Sequence, residues 1–162
     1  MQVLWAPWRM AYITGPKDSG CIFCAAVQAG DLRGQLVLAQ QPAVVMLNKF
    51  PYSNGHLLVA PRRHVANLNE LSRGEFQVLM EMLQRATGVL ADAFRPEGMN
   101  VGMNIGAAAG AGVADHAHWH IVPRWVGDTS FMPVFAEVRV IPEHLEATYD
   151  RLKPVFDAAG GD

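Results

Sequence analysis

Apolar positions along the chain follow two different periods, and the shorter period predicts strands. Between residues 44 and 60 the apolar runs VVMLN and HLLVAP flank the segment KFPYSNG, whose proline, asparagine and glycine favour a reversal of the chain. These two runs predict a pair of antiparallel strands. Two further strands are predicted from MNVGMN at 99–104 and from HAHWHIV at 116–122, the latter stopped by Pro123.

The longer, helical period dominates the middle of the chain. Ser72 is followed three residues later by Glu75, which is the spacing of a capping box. Behind this pair, apolar residues recur at helical spacing as far as Phe94. The pattern predicts one long amphipathic helix that ends at the sequence RPEG, residues 95–98.

A second helix is predicted to begin near Pro142 and to end just before Pro154. Together the elements predict an α+β fold, an antiparallel β-sheet meander with one long helix and a C-terminal helix. The chain has 162 residues, of which 51% are hydrophobic. This length predicts a single domain over 1–162. Within it, we expect the core at about 21–125 and a C-terminal extension at 126–162.

Charge and hydropathy narrow the classes of partner. The formal net charge is −2, so the chain has no overall positive field to attract nucleic acid or an anionic membrane. No apolar stretch reaches the roughly 18 residues of a membrane span, and the N-terminal segment lacks the apolar run of a signal peptide. We therefore expect a cytoplasmic protein with no nucleic acid or membrane partner.

Three of the six histidines occupy alternate positions in HAHWHIV, namely His116, His118 and His120. In a strand they would share one face, while the apolar residues between them, including Trp119, would face the core. Such a row suits zinc ligation, a proton relay or a nucleophile with helpers, because imidazole titrates near neutral pH and has two distinct nitrogens. A solvent-exposed face or a purely structural metal site is the simpler alternative.

The loop before this row contains the sequence NIGAAAGAGVAD. It joins Asn104, an amide donor, to a run of glycines that includes Gly110 and Gly112. Glycine lets backbone N–H groups approach an anion closely. Beside a histidine row, this loop favours a phosphate group that is attacked by an imidazole nucleophile.

These motifs resemble those of the histidine triad (HIT) superfamily. HAHWHIV resembles its His-x-His-x-His-x-x signature, and CIFC, LNKFPYSNGHLLVAPRRHV and NVGMNIGAAAGAGVADHAHWHIVPRW occur in the order that the family uses. The segments LWAPWRMAYI and HWHIVPRWVGDTSFMPV resemble a bacterial branch close to diadenosine tetraphosphate phosphorylases and Fhit-type dinucleoside polyphosphate hydrolases.

The resemblance implies a role for each histidine. His118 would attack the α-phosphorus and form a nucleotidyl-histidine intermediate, which water or phosphate then resolves. His120 would lie beside the phosphate oxygens, and His116 would orient the site or bind metal. Because His118 can attack only through an unprotonated nitrogen, we expect its other nitrogen to donate to a backbone carbonyl.

The resemblance also implies a nucleotide site and a homodimer, with no organic cofactor. Asn104 would contact phosphate, Asn48 would hold the ribose, and Ile22 and Phe23 would contact the base. Trp125, which follows the triad strand, is expected either to cap the site or to help form a dimer. Many family members carry Ser, Thr or Gln just before the triad, where this chain has Gly112 and Val113. Backbone N–H groups of residues 110–112 are the proposed substitutes.

Cys21 and Cys24, in the sequence CIFC, are the two cysteines of the chain. Two are too few for a disulfide framework, and the spacing points to a metal or to redox thiols. His64 and His116 could complete a tetrahedral Cys₂His₂ set for structural zinc. Two reduced thiols packed as small hydrophobic groups are the alternative.

We expect an enzyme that cleaves dinucleoside polyphosphates, with inorganic phosphate as the acceptor in a phosphorolysis. Hydrolysis of the same substrates, hydrolysis of nucleoside phosphoramidates, and a nucleotide-binding sensor with little turnover are the alternatives. His56 is left between a core role and a supporting role at the site, and His144 is expected on the surface.

Overall fold

The computed structural model describes residues 20–128 and 143–160. The LWAPWRMAYI segment and the predicted helix start at Pro142 lie outside the described residues. The helices and strands follow in this order: α1 (Ile22–Val27), β1 (Val37–Ala39), β2 (Val44–Leu47), β3 (Leu57–Ala60), α2 (Arg73–Phe94), β4 (Gly98–Met103), β5 (Trp119–Arg124) and α3 (Leu145–Ala158). Short 3₁₀ turns occupy Leu68–Glu70 and Ala107–Ala109.

The five strands form one antiparallel sheet in the order β1-β2-β3-β5-β4. The first three strands are consecutive neighbours, and α2 then carries the chain to the far edge, where β4 lies. Strand β5 returns between β3 and β4. The α+β fold with an antiparallel sheet is therefore confirmed, and the strand that follows the glycine-rich loop is an interior strand.

Both faces of the sheet carry apolar cores, which explains why β2 and β3 are continuous apolar runs. Helices α2 and α3 cover one face, where the sheet contributes Leu38, Val45, Leu47, Leu57, Val59 and Ile121. Helix α1 packs on the other face, where the sheet contributes Val37, Val44, Met46, Leu58 and Ala60. Successive residues of β2 and β3 alternate between these cores. His120 is adjacent to Ile121 and pairs with Leu58, so it lies on the α1 face.

The predicted start of the long helix is confirmed by its cap. Ser72 Oγ accepts from the N–H of Glu75 at 3.3 Å, and the Glu75 carboxylate accepts from the N–H of Ser72 at 2.8 Å. Arg63 also donates to this carboxylate, and its guanidinium together with the cap lowers the pKa of Glu75 to about 2. The helix ends at Phe94, and Arg95 adopts a left-handed conformation with φ of 47°.

The prediction that Pro123 stops the last strand is wrong, because β5 runs to Arg124. Pairing between β3 and β5 is complete at Leu57 and Ile121, so Pro123 has a strand neighbour only on the β4 side, opposite Met99. A proline there leaves at most one ladder position without a donor.

The prediction that the last helix ends before Pro154 is also wrong, because α3 continues to Ala158. A proline inside a helix costs roughly 3 kcal/mol. Burial of Leu152 and Phe156 against the sheet offsets this cost, since each large apolar side chain contributes about 1.5–3 kcal/mol. Helix α1 and strand β1 were not predicted, because six and three residues are too few to display a period.

Within residues 20–128 and 143–160, no helix combines the length and apolar character that a membrane crossing requires.

We expect Phe156→Ala to lower the free energy of unfolding by about 3–5 kcal/mol, because it empties a large site in the main core. The side chain is 1% exposed, and the Arg85 guanidinium lies 4.4 Å from its ring centroid. Urea unfolding measures the loss. Val126→Ala, at a side chain that is 87% exposed, is the matched control and should change stability by less than about 0.5 kcal/mol. A loss for Phe156→Ala as small as that of the control would contradict the packing of α3.

Candidate active site

The histidine row begins ahead of strand β5. Strand β5 starts at Trp119, so His116 and His118 precede it and only His120 lies within it. The expectation that one strand carries all three is therefore wrong for the first two. The chain ahead of the strand is still held, because the N–H of Ala117 donates to the carbonyl of Val65 at 2.6 Å. The rings of His118 and His120 remain neighbours, with centroids 5.0 Å apart.

The central histidine is held in one tautomer by the backbone. Nδ1–H of His118 donates to the carbonyl oxygen of His116 at 2.8 Å, and this network assigns the lone pair to Nε2. The expected donation to a backbone carbonyl is confirmed. Burial lowers the pKa of His118, which favours the neutral ring, and the described residues offer Nε2 no hydrogen-bond partner. His118 thus has the properties of a nucleophile.

A fourth histidine joins the cluster. His56 is fully buried, and its Nε2 lies 2.9 Å from Nδ1 of His120. The sequence alone does not decide between a core role and a supporting role for His56. Strand parity is a partial signal, because it places His56 and Leu58 on one face, but the pairing of Leu58 with His120 depends on a register that the sequence does not give.

Strand β4 supplies the opposite side of the site. Gly102 pairs with His120, and a Cβ added at Gly102 would meet no atom within 4 Å. The pairing of Met103 with Trp119 is the last of this ladder, so the next position in register brings Asn104 level with His118. Open space therefore lies beside His120 on the same sheet face, and Asn104 follows directly after the end of this ladder.

The glycine-rich loop folds back toward this face. It contains the 3₁₀ turn Ala107–Ala109, which ends at Gly110 with φ of 86°, a conformation that strongly favours glycine. Val113, the residue after Gly112, packs against the apolar cluster that contains Phe23. The ring of Phe23 in turn contacts the rings of His116 and His118, at centroid distances of 5.0 and 4.9 Å.

The other residues that are predicted to contact substrate differ in burial and in distance from the triad. Phe23 is fully buried under the triad, whereas Ile22 beside it is 39% exposed. Asn48 follows β2, and its Oδ1 accepts from the N–H of Phe50 at 2.9 Å. Trp125 follows the last residue of β5 and lies about 16 Å along the strand from His120, so within its own chain it is remote from the triad.

The structure brings together the four predicted metal-ligating side chains. The ligand atoms of Cys21, Cys24, His64 and His116 all lie within 4.8 Å of one another. Sγ of Cys21 is 3.2 Å from Nδ1 of His116, and Sγ of Cys24 is 3.3 Å from Nδ1 of His64. Two sulfurs and two imidazoles at this separation fit a tetrahedral zinc site.

The first triad histidine is oriented toward these cysteines. Nε2–H of His116 donates to the carbonyl of Pro61 at 2.8 Å, so the lone pair of the neutral ring is on Nδ1, the atom that faces Cys21. Burial lowers the pKa of His116 and keeps it neutral. Burial and the neighbouring Cys21 raise the pKa of the Cys24 thiol, so without a bound cation the thiol form of Cys24 is favoured.

Electrostatics also favour a neutral His120. Burial, with a smaller contribution from His118, lowers its pKa from 6.5 to about 4. A neutral ring has one N–H and one lone pair, so His120 can donate from one nitrogen while it accepts at the other.

We expect the imidazole of His120 to titrate near pH 4 in the folded protein, because its charged form is poorly solvated. The folded pKa lies below the unfolded value, so the stability that this group contributes is lost as the pH falls from about 6.5 to about 4. An NMR titration of the ring resonances, assigned with His120→Asn, measures the midpoint. A midpoint near 6.5 would contradict the burial of this ring.

Comparison with known proteins places the chain in a family. The HIT domain family matches residues 30–126. An AP-4-A phosphorylase of Mycobacterium tuberculosis is 38% identical over 157 residues, which cover 91% of this chain and 80% of that protein. A Zn-bound histidine triad family protein from Mycobacterium smegmatis has a TM-score of 0.67 at 25% identity, covering 87% of this chain and 96% of that one. A hypothetical histidine triad nucleotide-binding protein from Sulfolobus tokodaii has a TM-score of 0.65 at 27% identity, covering 86% of this chain and 91% of that one. The chain therefore belongs to the HIT domain family.

Proposed function

We propose that this protein is a nucleotidyl-transfer enzyme that cleaves dinucleoside polyphosphates through an intermediate on His118. The observation that carries the proposal is the hydrogen bond from Nδ1–H of His118 to the carbonyl of His116, which leaves Nε2 with its lone pair. A neutral, fixed imidazole beside an amide and a glycine-rich loop is suited to attack on phosphorus.

The proposed reaction has two displacements at one phosphorus. The lone pair on Nε2 of His118 forms a P–N bond, the bond from the α-phosphorus to the bridging oxygen breaks, and the leaving nucleotide takes the electron pair. An oxygen of the acceptor then attacks the same phosphorus, the P–N bond breaks, and the imidazole regains its lone pair. Asn104, His120 and backbone N–H groups near Gly110 and Gly112 would stabilise charge on the phosphate oxygens.

Inorganic phosphate is the acceptor that we propose. The support is the 38% identity to a protein named AP-4-A phosphorylase. With diadenosine tetraphosphate, attack by phosphate on the adenylyl intermediate would give ADP, and the leaving group would be ATP. With water as the acceptor the products would be AMP and ATP, so the products identify the acceptor.

The test follows diadenosine tetraphosphate with purified protein, with and without millimolar phosphate, and separates the products by ion-exchange chromatography. ADP together with ATP, formed only with phosphate, supports phosphorolysis. AMP with ATP formed without phosphate makes the protein a hydrolase. No product under either condition rejects the proposal for this substrate class and directs attention to nucleoside phosphoramidates or to binding without turnover.

We expect His118→Asn to lower kcat by at least about 10³-fold, because asparagine cannot form the P–N bond. Nucleotide affinity, measured by calorimetry, should change little, since the residue acts mainly in the transition state. His144→Asn is the matched control. His144 is exposed and precedes α3 as its N-cap, a position that asparagine suits. If the His118→Asn variant retains turnover, the assignment of His118 as the nucleophile is wrong.

We also propose that Cys21, Cys24, His64 and His116 hold a structural zinc ion. The support is the set of four donor atoms within 4.8 Å of one another, together with the similarity to the Zn-bound histidine triad family protein from Mycobacterium smegmatis. Four protein ligands would fill a tetrahedral ion, so zinc here would tie α1 to the segment that leads into β5 and supply no open coordination position.

We expect about one zinc per chain by elemental analysis of protein purified without chelators. His64→Asn should lower the zinc content and the melting temperature together, because binding of a structural metal contributes to folding. His144→Asn again serves as the control and should change neither value. Near-zero zinc in the parent protein would leave two reduced thiols as the better description of the cluster.

The expected homodimer also stays a proposal. Val101 on the edge strand β4 and Phe76 on α2 are 43% and 40% exposed, and apolar side chains of this kind are suited to an interface. Light scattering on the eluting protein gives the molar mass directly, and a mass of one chain would reject a stable dimer.

A further inference from the structure

Both ring nitrogens of the buried His56 are engaged by neighbouring groups. The backbone N–H of Tyr52 points to Nδ1 at 3.1 Å, and the side-chain amide nitrogen of Asn48 lies 3.4 Å from the same atom. A backbone N–H can only donate, so Nδ1 carries the lone pair. The single proton of the neutral His56 ring is therefore on Nε2.

The proton on Nε2 of His56 determines the state of the next ring. Nε2 of His56 is 2.9 Å from Nδ1 of His120, so the N–H of His56 donates and Nδ1 of His120 accepts. The opposite tautomer of His120 would set two N–H groups against each other at that distance. The proton of a neutral His120 is consequently on Nε2, which has no hydrogen-bond partner among the described residues.

The two neighbouring rings at the site are thus held in opposite tautomers by two different backbone groups. The carbonyl of His116 fixes His118 with a lone pair on Nε2. The N–H of Tyr52, acting through His56, fixes His120 with a proton on Nε2. One ring can attack phosphorus and the other can donate to an oxygen of the same phosphate group.

We propose that His56 is a positioning residue that keeps His120 in its Nε2–H tautomer, so that a hydrogen-bond donor stands beside the nucleophile His118. The proposal rests on the proposed function for its catalytic consequence. His56 is fully buried, and its ring also contacts the half-exposed ring of Tyr52 at a centroid distance of 4.7 Å. It therefore acts on the phosphate through His120.

The tautomers can be measured on the protein without substrate. Long-range ¹H–¹⁵N NMR spectra of uniformly labelled parent protein at pH 7 distinguish a protonated ring nitrogen from an unprotonated one. We expect His120 to be protonated on Nε2, and His56 likewise. A proton on Nδ1 of His120 would overturn the proposal without reference to any variant.

Two substitutions at His56 distinguish its hydrogen-bond donation to His120 from its contribution to packing. Gln can reach the Nε2 position of histidine with an amide N–H, whereas Leu fills space without a donor. We expect His56→Leu to lower kcat on diadenosine tetraphosphate about 10- to 100-fold, with a smaller change in KM, because the His120 donor is aligned for the transition state. His56→Gln should recover most of that loss, and the His120 spectrum should keep the Nε2–H pattern only in this variant.

The readouts keep this inference separate from the proposed function. If the parent protein does not turn over diadenosine tetraphosphate, the proposed function fails, while the tautomer spectra still support or overturn the role of His56. Thermal melting and zinc content confirm that each variant is folded. If folded His56→Leu retains full kcat, or if Gln and Leu lose activity equally, His56 has only a packing role and the proposal is wrong.

Discussion

The hydrogen bond from Nδ1–H of His118 to the carbonyl oxygen of His116 is the constraint on which the proposed chemistry depends. This hydrogen bond fixes the tautomer of His118. Its acceptor is the main chain of His116, and the side chain of the same residue belongs to the Cys₂His₂ cluster. His116 is in turn oriented by the carbonyl of Pro61, which directs its other nitrogen toward Cys21. His116 therefore links the two sites: its side chain belongs to the candidate metal site, and its main-chain carbonyl holds His118.

The two-sided sheet makes this arrangement stable. The face under α2 and α3 buries a large apolar core, while the α1 face combines a smaller core with a row of imidazoles. Polar groups in such a place are costly unless they are hydrogen-bonded. Each buried histidine has a specific partner: Pro61 for His116, the main chain of His116 for His118, and Tyr52 with His120 for His56. Burial thereby favours neutral rings at His116, His118 and His120, and attack through Nε2 of His118 requires a neutral ring.

Sequence periodicity and local motifs were sufficient to predict the long secondary-structure elements and the histidine row. The capping box at Ser72 and the paired strands β2 and β3 follow from local rules that the structure confirms. The donation of His118 to a backbone carbonyl was expected from the role that the family resemblance implies, and the structure shows it. Short elements such as α1 could not be predicted, because their stability comes from packing on the sheet. The predicted helix end at Pro154 is wrong because burial of the residues beyond it outweighs the cost of a proline inside the helix. The role of His56 could not be predicted because it depends on a strand register that parity alone does not give.

Covalent transfer through His118 is tested most directly by trapping the intermediate. Protein is mixed with diadenosine tetraphosphate that carries a radiolabel on the α-phosphorus, the reaction is quenched by alkaline denaturation because P–N bonds are labile in acid, and labelled peptides are mapped. We expect label on the peptide that contains His118, and this label should appear before product and disappear when phosphate is added. Product formation with no label on the protein at any time would contradict it.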